Sequence, residues 1–176
     1  MNLFFRKMNF RDLDVVKTID KLCFSNPWPE NAYLYELENN PNARSWVIET
    51  RNEQSNKIIG FAVIWIVLDE AHIGTIAIDP SFQAKGIGQY FLANVCLKLI
   101  SENISKIFLE VRKSNSKAIK LYEKFSFNID GERKNYYRDN GESAILMSAP
   151  IKNEVFYINM MKMVFENDLF RREIFT

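Results

Sequence analysis

Apolar residues recur along this chain at two kinds of spacing, and each spacing predicts one type of element. Repeats of three and four residues predict helices, whereas alternation and short β-branched runs predict strands. By this criterion helices cover residues 12–24, 29–39, 86–101 and 115–125, and strands cover residues 3–8, 44–51, 57–68, 71–79, 104–112, 127–134 and 143–150.

The order of these elements predicts a mixed sheet. Strands dominate the first half of the chain, and the second half continues as strand, helix, strand, helix, strand. Parallel strands need a crossover connection such as a helix, whereas short loops join antiparallel neighbours. We therefore predict an α/β fold with a parallel strand pair near the middle of its sheet.

A dense run of apolar residues, uninterrupted by glycine or proline, predicts a further helix within residues 152–176. We therefore divide the chain into a domain of residues 1–151 and an extension of residues 152–176. In the interpretation that we favour, the extension packs on the surface of its own domain. In the alternative it contacts a partner or forms a homodimer, because methionine-rich apolar faces adapt to binding partners.

Length and composition narrow the class of protein. The chain has 176 residues, of which 47% are apolar, and this suits one domain with a filled core. The net charge of +1 provides no overall field that would attract nucleic acid or a membrane surface, so we expect neither as a partner. Two cysteines and one histidine cannot complete a four-ligand zinc site, and we expect no metal.

The compartment is predicted from two further features. The two cysteines do not suggest a disulfide framework, which favours a reducing compartment. The opening residues lack a basic region followed by a long apolar run, and the longest apolar stretch, residues 58–68, is too short to span a bilayer. We therefore expect a cytoplasmic protein without a signal peptide.

The segment Gln83-Ala84-Lys85-Gly86-Ile87-Gly88 follows a predicted strand and opens a predicted helix. Glycines allow a tight turn and a close approach of the backbone to a ligand. The first turn of the helix presents N–H groups with partial positive charge, and a lysine adds a full charge, so a pyrophosphate fits there. These six residues alone fit an ordinary strand–helix turn equally well, and in isolation we favour that interpretation.

The surrounding motifs resemble the GNAT superfamily of N-acetyltransferases, and within it the RimI type, which acetylates an N-terminal alanine of a ribosomal protein. The resemblance implies the GNAT acyl-CoA N-acyltransferase fold, a mostly antiparallel mixed sheet that splays around its parallel pair and is flanked by helices. It also implies acetyl-CoA as co-substrate. The motifs are Ile-Ala-Ile-Asp-Pro at 76–80, the loop at 83–88, Leu-Glu-Val-Arg at 109–112, Leu-Tyr-Glu at 121–123 and Arg-Lys-Asn-Tyr-Tyr at 133–137.

The resemblance assigns residues to the acetyl-CoA site. Strand backbone pairs with the pantetheine arm, an N–H near Ile78 polarises the thioester carbonyl, and the loop backbone holds the pyrophosphate. From the residues alone, the strand segment is a plain buried strand and Asn115 is a helix cap. The residues implied are Ile76, Ala77, Ile78, Ala84, Lys85, Gly86, Ile87, Gly88, Gln89 and Asn115.

Two residues match the catalytic positions of the family. Glu110 matches the general base, and strand alternation places it on one face with Phe108 and Arg112. The alternative is a structural ion pair between Glu110 and Arg112. Tyr122 matches the general acid, because a tyrosine stays protonated at neutral pH. Its alternative is a core tyrosine on an inward helix face.

The acceptor is predicted from resemblance and from an aromatic rim. Trp28, Tyr136 and Tyr137 are implied to line a peptide groove, with both tyrosines on the loop before the last strand. Their alternatives are a tryptophan packed beneath its loop and an exposed turn. The expected reaction is acetyl transfer to the N-terminal amine of a protein, namely a ribosomal protein. The alternatives are a small amine, an antibiotic or a lysine side chain as acceptor, or a non-catalytic acetyl-CoA-binding module.

The chain departs from the family pattern at two positions. Ser126 stands where a glycine usually ends the second crossover helix, so it is expected to adopt a left-handed backbone or to alter the turn. Pro29 replaces the usual serine or threonine cap near the acceptor loop. His72 is expected in the sheet and Cys96 in the core.

Overall fold

A computed structural model describes residues 2–51 and 56–165 of the chain. Most of the predicted loop at 52–56 and the end of the extension, residues 166–176, lie outside the described residues. The strands are β1 (Asn2–Lys7), β2 (Ala43–Arg51), β3 (Asn56–Val67), β4 (Glu70–Ile78), β5 (Lys106–Arg112), β6 (Asn128–Tyr137) and β7 (Glu142–Pro150). The helices are α1 (Leu13–Cys23), α2 (Ala32–Glu38), α3 (Ile87–Ser101), α4 (Ser116–Lys124) and α5 (Glu154–Phe165).

The strands form one sheet in the order β1-β2-β3-β4-β5-β7-β6. β4 and β5 run parallel, and the other neighbouring strands are antiparallel. The crossover between the parallel strands contains α3, as a right-handed connection between parallel strands requires. The predicted mixed α/β sheet with a central parallel pair is therefore confirmed.

A bulge in β4 ends the parallel pairing. Val63 of β3 lies opposite Thr75, but its neighbour Ile64 lies opposite Ile73, so Gly74 is an extra residue on β4. A Cβ at Gly74 would lie 2.9 Å from the ring of Trp65, so the indole covers this position only because it is a glycine. An extra residue bends the bulged strand. The pairing of β4 with β5 begins at Glu70↔Lys106 and ends at Ile73↔Leu109, directly before the bulge.

The sheet separates two apolar cores. The larger core lies between the sheet and α3, α4 and α5, and the smaller one lies under α1 and α2. On β5 the burial alternates: Ile107, Leu109 and Val111 enter the larger core, and Phe108 and Glu110 face the other side. This alternation confirms the predicted faces of β5.

The C-terminal extension forms a helix over its described part. Phe156, Met160 and Val164 of α5 are at most 8% exposed and belong to the larger core, where α5 packs against α3. Their spacing of four residues places them on one side of the helix. The favoured interpretation, packing of the extension on its own domain, therefore holds for this side of α5. Val155 and Ile158, on the outward side, are 68% and 50% exposed.

The end of α4 shows how the chain accommodates Ser126. Its φ of 59° is left-handed. Ser126 donates its N–H to the Glu123 carbonyl at 3.0 Å, and Phe127 donates to the Tyr122 carbonyl at 3.1 Å. These two bonds form a Schellman motif, which satisfies the last carbonyls of the helix. The expected left-handed turn is present, at a cost of about 1–2 kcal/mol for a residue with a side chain.

Two predicted boundaries were wrong. The second helix begins at Ala32 instead of residue 29, because Pro29 precedes the helix and accepts the hydrogen bond from the N–H of Ala32 at 2.9 Å. β6 extends to Tyr137 instead of ending at Lys134. None of the helices within residues 2–51 and 56–165 is both long enough and apolar enough to cross a membrane.

Candidate active site

An opening in the sheet forms where β4 and β5 diverge. Asp79 donates its N–H to the Ile59 carbonyl on β3 at 2.8 Å. Backbone groups of successive strand residues alternate between the two edges of a strand, so Ile78 directs its own groups away from β3 and toward the opening. Its carbonyl accepts Gln83 Nε2 at 2.8 Å and Cys23 Sγ at 3.3 Å. The N–H of Ile78 therefore points into the opening, where the oxyanion donor is predicted.

The loop at 83–88 has the backbone of an anion site. Ala84 and Gly86 are left-handed, with φ of 58° and 77°. Alternation of left- and right-handed residues turns successive N–H groups toward one point and makes a concave anion-binding surface. The first backbone hydrogen bond of α3 runs from the Tyr90 N–H to the Gly86 carbonyl at 3.1 Å. The N–H groups of residues 87–89, which come before it, therefore have no acceptor within the helix. Lys85 folds back onto the loop, where Nζ donates to the Ser81 carbonyl at 2.9 Å.

Gly88 leaves space for a small group between β4 and α4. A Cβ there would meet Ile78 Cγ1 and Leu121 Cδ2, each at 3.9 Å, which is ordinary van der Waals contact. Together with the Ile78 edge and the concave loop, this space fits the pantetheine arm and pyrophosphate of acetyl-CoA.

Asn115 caps α4. Its side-chain oxygen accepts the N–H of Ala118 at 3.1 Å, which is the interaction of a helix N-cap. The interpretation of Asn115 as a helix cap is therefore confirmed. A contact with acetyl-CoA remains a prediction for this residue.

Glu110 pairs with a partner that sequence reasoning missed. Its Oε1 lies 2.7 Å from Nη1 of Arg133 on β6, and its side chain is 31% exposed. The alternative interpretation, a structural pair of Glu110 with Arg112, is not the pairing that the structure shows. Arg112 instead pairs with Asp139 at 2.7 Å and with Glu142 at 3.3 Å. No local pattern links residues 110 and 133, because the contact depends on strand order.

Tyr122 lies on α4 and belongs to the larger core. It is 8% exposed and packs 5.6 Å from the Phe127 ring, so the core interpretation is correct for its ring. Burial, followed by the nearby Tyr137, raises the pKa of Tyr122 to about 12. The hydroxyl is therefore protonated at neutral pH, as a proton donor must be.

Tyr136 and Tyr137 are the last residues of β6, and their predicted location on a loop was wrong. Between Arg133 and Tyr137 the register with β7 shifts, and Asn135 is left-handed with φ of 52°. The neighbouring Glu110 raises the pKa of Tyr136. Burial raises the pKa of Tyr137 to about 12 although the Arg112 guanidinium lies 3.9 Å from its ring centre.

Trp28 is packed and fixed at both its ring and its backbone. The indole stacks between Tyr33, at 5.1 Å, and Trp65, at 5.8 Å. Asp20 Oδ2 accepts the Trp28 N–H at 2.8 Å, and burial raises the pKa of this carboxyl. The interpretation as a packed tryptophan is correct for the ring. Sequence reasoning missed Asp20. The signal that could have found it is an acidic residue on the apolar side of α1.

A polar network joins the loop after α1 to the turn between β6 and β7. Ser25 Oγ donates to Asp139 Oδ2 at 2.5 Å, and Arg112 Nη2 donates to Ser25 Oγ at 3.1 Å. Glu142 accepts the N–H of Ser114 at 2.6 Å. This hydrogen bond, together with Arg112, holds the pKa of Glu142 at about 2. The network fixes the distance between the two walls of the predicted acceptor groove.

The other chemistry-bearing residues agree with their expected places. His72 lies in β4 and stacks on Phe108 at 5.0 Å, and Cys96 is fully buried. Across residues 2–51 and 56–165, no three His, Cys, Asp or Glu side chains are grouped so that they could hold a metal ion.

The chain is similar to known acetyltransferases. Residues 13–127 match the acetyltransferase (GNAT) family. A Bacillus subtilis protein, named as a candidate ribosomal protein bS18-alanine N-acetyltransferase, is 37% identical over 142 residues, which are 81% of this chain and 91% of that protein. The crystal structure of the ribosomal-protein-S18-alanine N-acetyltransferase from Escherichia coli matches with a TM-score of 0.77 and 32% identity, over 86% of this chain and 95% of that one.

A more distant structure shares the fold. The crystal structure of Arabidopsis thaliana NAA60 in complex with acetyl-CoA matches with a TM-score of 0.77 over 86% of this chain and 100% of that one, at 19% identity. This likeness shows the fold alone.

The low pKa of Glu142 predicts a pH-dependent stability. A depressed pKa stabilises the fold above the unfolded value, near 4.3 for glutamate, and this contribution disappears as the pH falls toward 2. We expect Glu142→Gln to lower the free energy of unfolding in urea at pH 7, with the difference from the parent protein shrinking between about pH 4 and pH 2. Glu123→Gln, at an exposed position on α4, is the matched control and should give no difference. A deficit of Glu142→Gln that is constant with pH would contradict the ionic origin.

Proposed function

The chain belongs to the acetyltransferase (GNAT) family, and we propose that it transfers the acetyl group of acetyl-CoA to the N-terminal amine of a ribosomal protein. It is an N-acetyltransferase. The N-terminal alanine of bS18 is the acceptor that we propose, because the relatives at 37% and 32% identity are named for that acceptor and cover more than four fifths of the chain.

The observation that carries this proposal is the position of two side chains on opposite faces of the opened sheet. Glu110 faces the side of α1, α2 and the end of β6, which carries the aromatic rim. Tyr122 belongs to the core on the side of α3 and α4. A base on the side where an amine enters and an acid on the side of the loop at 83–88 are the arrangement that acyl transfer needs.

The proposed acetyl-CoA site combines three parts of the chain. The edge of β4 at 76–78 lies along the pantetheine arm, the backbone of residues 84–89 holds the pyrophosphate, and Asn115 contacts the co-substrate from the start of α4. The concave loop, the direction of the Ile78 N–H and the space beside Gly88 support this placement. Acetyl-CoA supplies the acetyl group as a thioester, which the neutral amine attacks directly.

The chain's own residues move the protons in this reaction. Glu110 accepts a proton from the amine, directly or through one water. The Ile78 N–H donates a hydrogen bond to the oxygen on which negative charge develops. Tyr122 donates its proton to the departing thiolate and is re-protonated from solvent. Neither cysteine carries the acetyl group, since the buried Cys96 and the protonated Cys23, whose pKa burial raises to about 11, are unsuited to be nucleophiles.

The acceptor groove that we propose runs between the aromatic residues Trp28, Tyr136 and Tyr137. Tyr136 lies close enough to Glu110 for the carboxylate to raise its pKa, so the aromatic rim is beside the proposed base. The loop that carries Trp28 is tied to the β6–β7 turn through Ser25 and Asp139. A groove held at a constant width by such a tie suits an extended polypeptide end. A ribosomal acceptor also places the enzyme in the cytoplasm.

A thiol-release assay with acetyl-CoA tests the acceptor. We expect release with a peptide that begins with the bS18 sequence and its N-terminal alanine, and no release with the same peptide acetylated at its N-terminus. Spermidine, an aminoglycoside and an N-acetylated lysine peptide test the other acceptor classes. Release with one of those amines but with no N-terminal peptide would refute the ribosomal acceptor, and absence of release with every amine would refute the enzyme activity.

Conservative variants test the two catalytic assignments. We expect Glu110→Gln and Tyr122→Phe each to lower turnover by about 10²–10⁴-fold, because each removes one proton-transfer group. Glu123→Gln on α4 and Tyr157→Phe on α5 make the same chemical changes at exposed positions and should keep full turnover. Thermal unfolding checks that all four variants are folded. Parent-like turnover of either site variant at saturating acetyl-CoA would remove that residue from the mechanism.

We propose in addition that residues 1–151 form the catalytic domain and that residues 152–176 form an extension whose outward side joins two copies of the chain. The exposed Val155, Tyr157 and Ile158 on α5 support this contact. The double variant Val155→Ser/Ile158→Ser should reduce the mass measured by light scattering from two copies to one without loss of turnover. Asn159→Ser/Lys162→Ser is the control on the same helix. A single-copy mass for the unsubstituted protein at all concentrations would exclude the dimer.

A further inference from the structure

We propose that Arg133 is a positioning residue that holds Glu110 in place and lowers the pH at which the acceptor amine becomes reactive. This inference rests on the proposed role of Glu110 as general base. Neither the sequence motifs nor the similarity to other acetyltransferases assigns this function to Arg133.

The sheet places Arg133 within reach of Glu110 across an intervening strand. β7 lies between β5 and β6, and Ala144 of β7 is the register partner of Arg133 on one side and of Arg112 on the other. Register partners direct their side chains to the same face. A small residue at Ala144 leaves room above β7, and the guanidinium reaches Glu110 with Nη1 at 2.7 Å from Oε1.

The bulge at the end of β6 brings Tyr136 beside the same ion pair. In a regular strand, residues 133 and 136 would face opposite sides of the sheet, because side chains alternate. The register shift between Arg133 and Tyr137, with left-handed Asn135, changes this alternation. Arg133 consequently lies 5.0 Å from the centre of the Tyr136 ring, and the neighbouring Glu110 raises the pKa of Tyr136. Arg133, Tyr136 and Glu110 therefore form one contiguous unit, which we call the base clamp.

The charge of Arg133 acts on the acceptor amine. An amine that approaches Glu110 also approaches Arg133, and the like charge disfavours its ammonium form. A free α-amino group has a pKa near 8, so only about a tenth of it is neutral at pH 7. Arg133 therefore increases the neutral, reactive fraction of the bound amine at neutral pH.

The other charges near Glu110 do not replace this effect. Arg112, on the same face of β5, is paired with Asp139 and Glu142, so its charge is balanced locally. Tyr136 and Tyr137, from β6, are neutral at the pH of the reaction, because the pKa of each is raised. Arg133 is thus the cation that contacts the base among the described residues.

Solvent exposure limits the size of the effect. The Arg133 side chain is 53% exposed, and half-exposed ion pairs are screened by water and salt. We therefore expect a displacement of the acid limb of the pH profile by about half to one pH unit, less than the roughly 1–3 units that a close charge produces without such screening. If Arg133 served only to join β5 to β6, its replacement would lower the activity equally at every pH.

The experiment measures kcat against pH at saturating acetyl-CoA and acceptor, because kcat reports the ionisation of the bound amine. It compares the parent protein with three variants, using the acceptor that the parent protein acetylates. Arg133→Gln should move the acid limb upward by about half to one unit and lower kcat at pH 7 by about 3–10-fold, while the plateau at high pH stays within about twofold. Arg133→Lys keeps the charge and should retain most of the parent profile. Lys134→Gln removes a neighbouring exposed charge and should change nothing. In about 1 M salt, the parent limb should move toward that of Arg133→Gln.

Two results would overturn the proposal. One is an Arg133→Gln profile that coincides with the parent profile, and the other is a loss that is uniform across pH in a folded variant. Failure of the base assignment is recognised separately, because Glu110→Gln would then keep parent-like turnover. Failure of the ribosomal acceptor leaves the experiment intact, since the profile can be recorded with any amine that is acetylated.

Discussion

The whole site depends on the point at which β4 stops pairing with β5. Gly74 is inserted into β4 beneath the Trp65 ring, and the parallel pairing ends one residue earlier, at Ile73↔Leu109. Beyond it, β4 keeps its pairing with β3, and Gly60 allows a very close approach, since a Cβ there would lie 2.7 Å from the Ala77 carbonyl. Beyond Gly74, β4 is therefore paired with β3 along one edge and no longer paired with β5 along the other. This second edge, which a neighbouring strand covers in most sheets, is available to a ligand.

This opening also separates the two proposed proton-transfer groups in space. Alternation along β5 sends Leu109 into the larger core and Glu110 to the opposite face, while Tyr122 belongs to the core on the α4 side. Their surroundings differ accordingly. Glu110 is partly exposed and paired with Arg133. Tyr122 is buried and its pKa is raised to about 12, as the proposed proton donor requires.

The walls around Glu110 are built from paired charges instead of apolar packing. Arg112 connects Ser25, Asp139 and Glu142, and in this way ties the loop after α1 to the β6–β7 turn. Arg133 is more exposed than Arg112 and contacts the base directly. The tighter network fixes the groove, whereas the looser ion pair is free to respond to a bound amine. Screening by water weakens the exposed Arg133–Glu110 pair more than the less exposed pairs of Arg112.

The sequence by itself determined the features that depend on neighbouring residues. Strand alternation placed Glu110 on the face opposite the core, and Ser126 at the end of α4 was expected either to be left-handed or to alter the turn. Gly86 and Gly88 predicted a tight turn before α3, which an anion could also fit. The motifs in their order also indicated the family, and with it the fold.

Only the tertiary structure decided the partner of Glu110 and the placement of Tyr136. Arg133 meets Glu110 because β7 lies between β5 and β6 with a small residue at the crossing, and Tyr136 faces the same carboxylate because a bulge changes the alternation of β6. The Ser25–Asp139 contact joins residues 114 positions apart. Such contacts arise from strand order and register, which no local spacing of residues encodes.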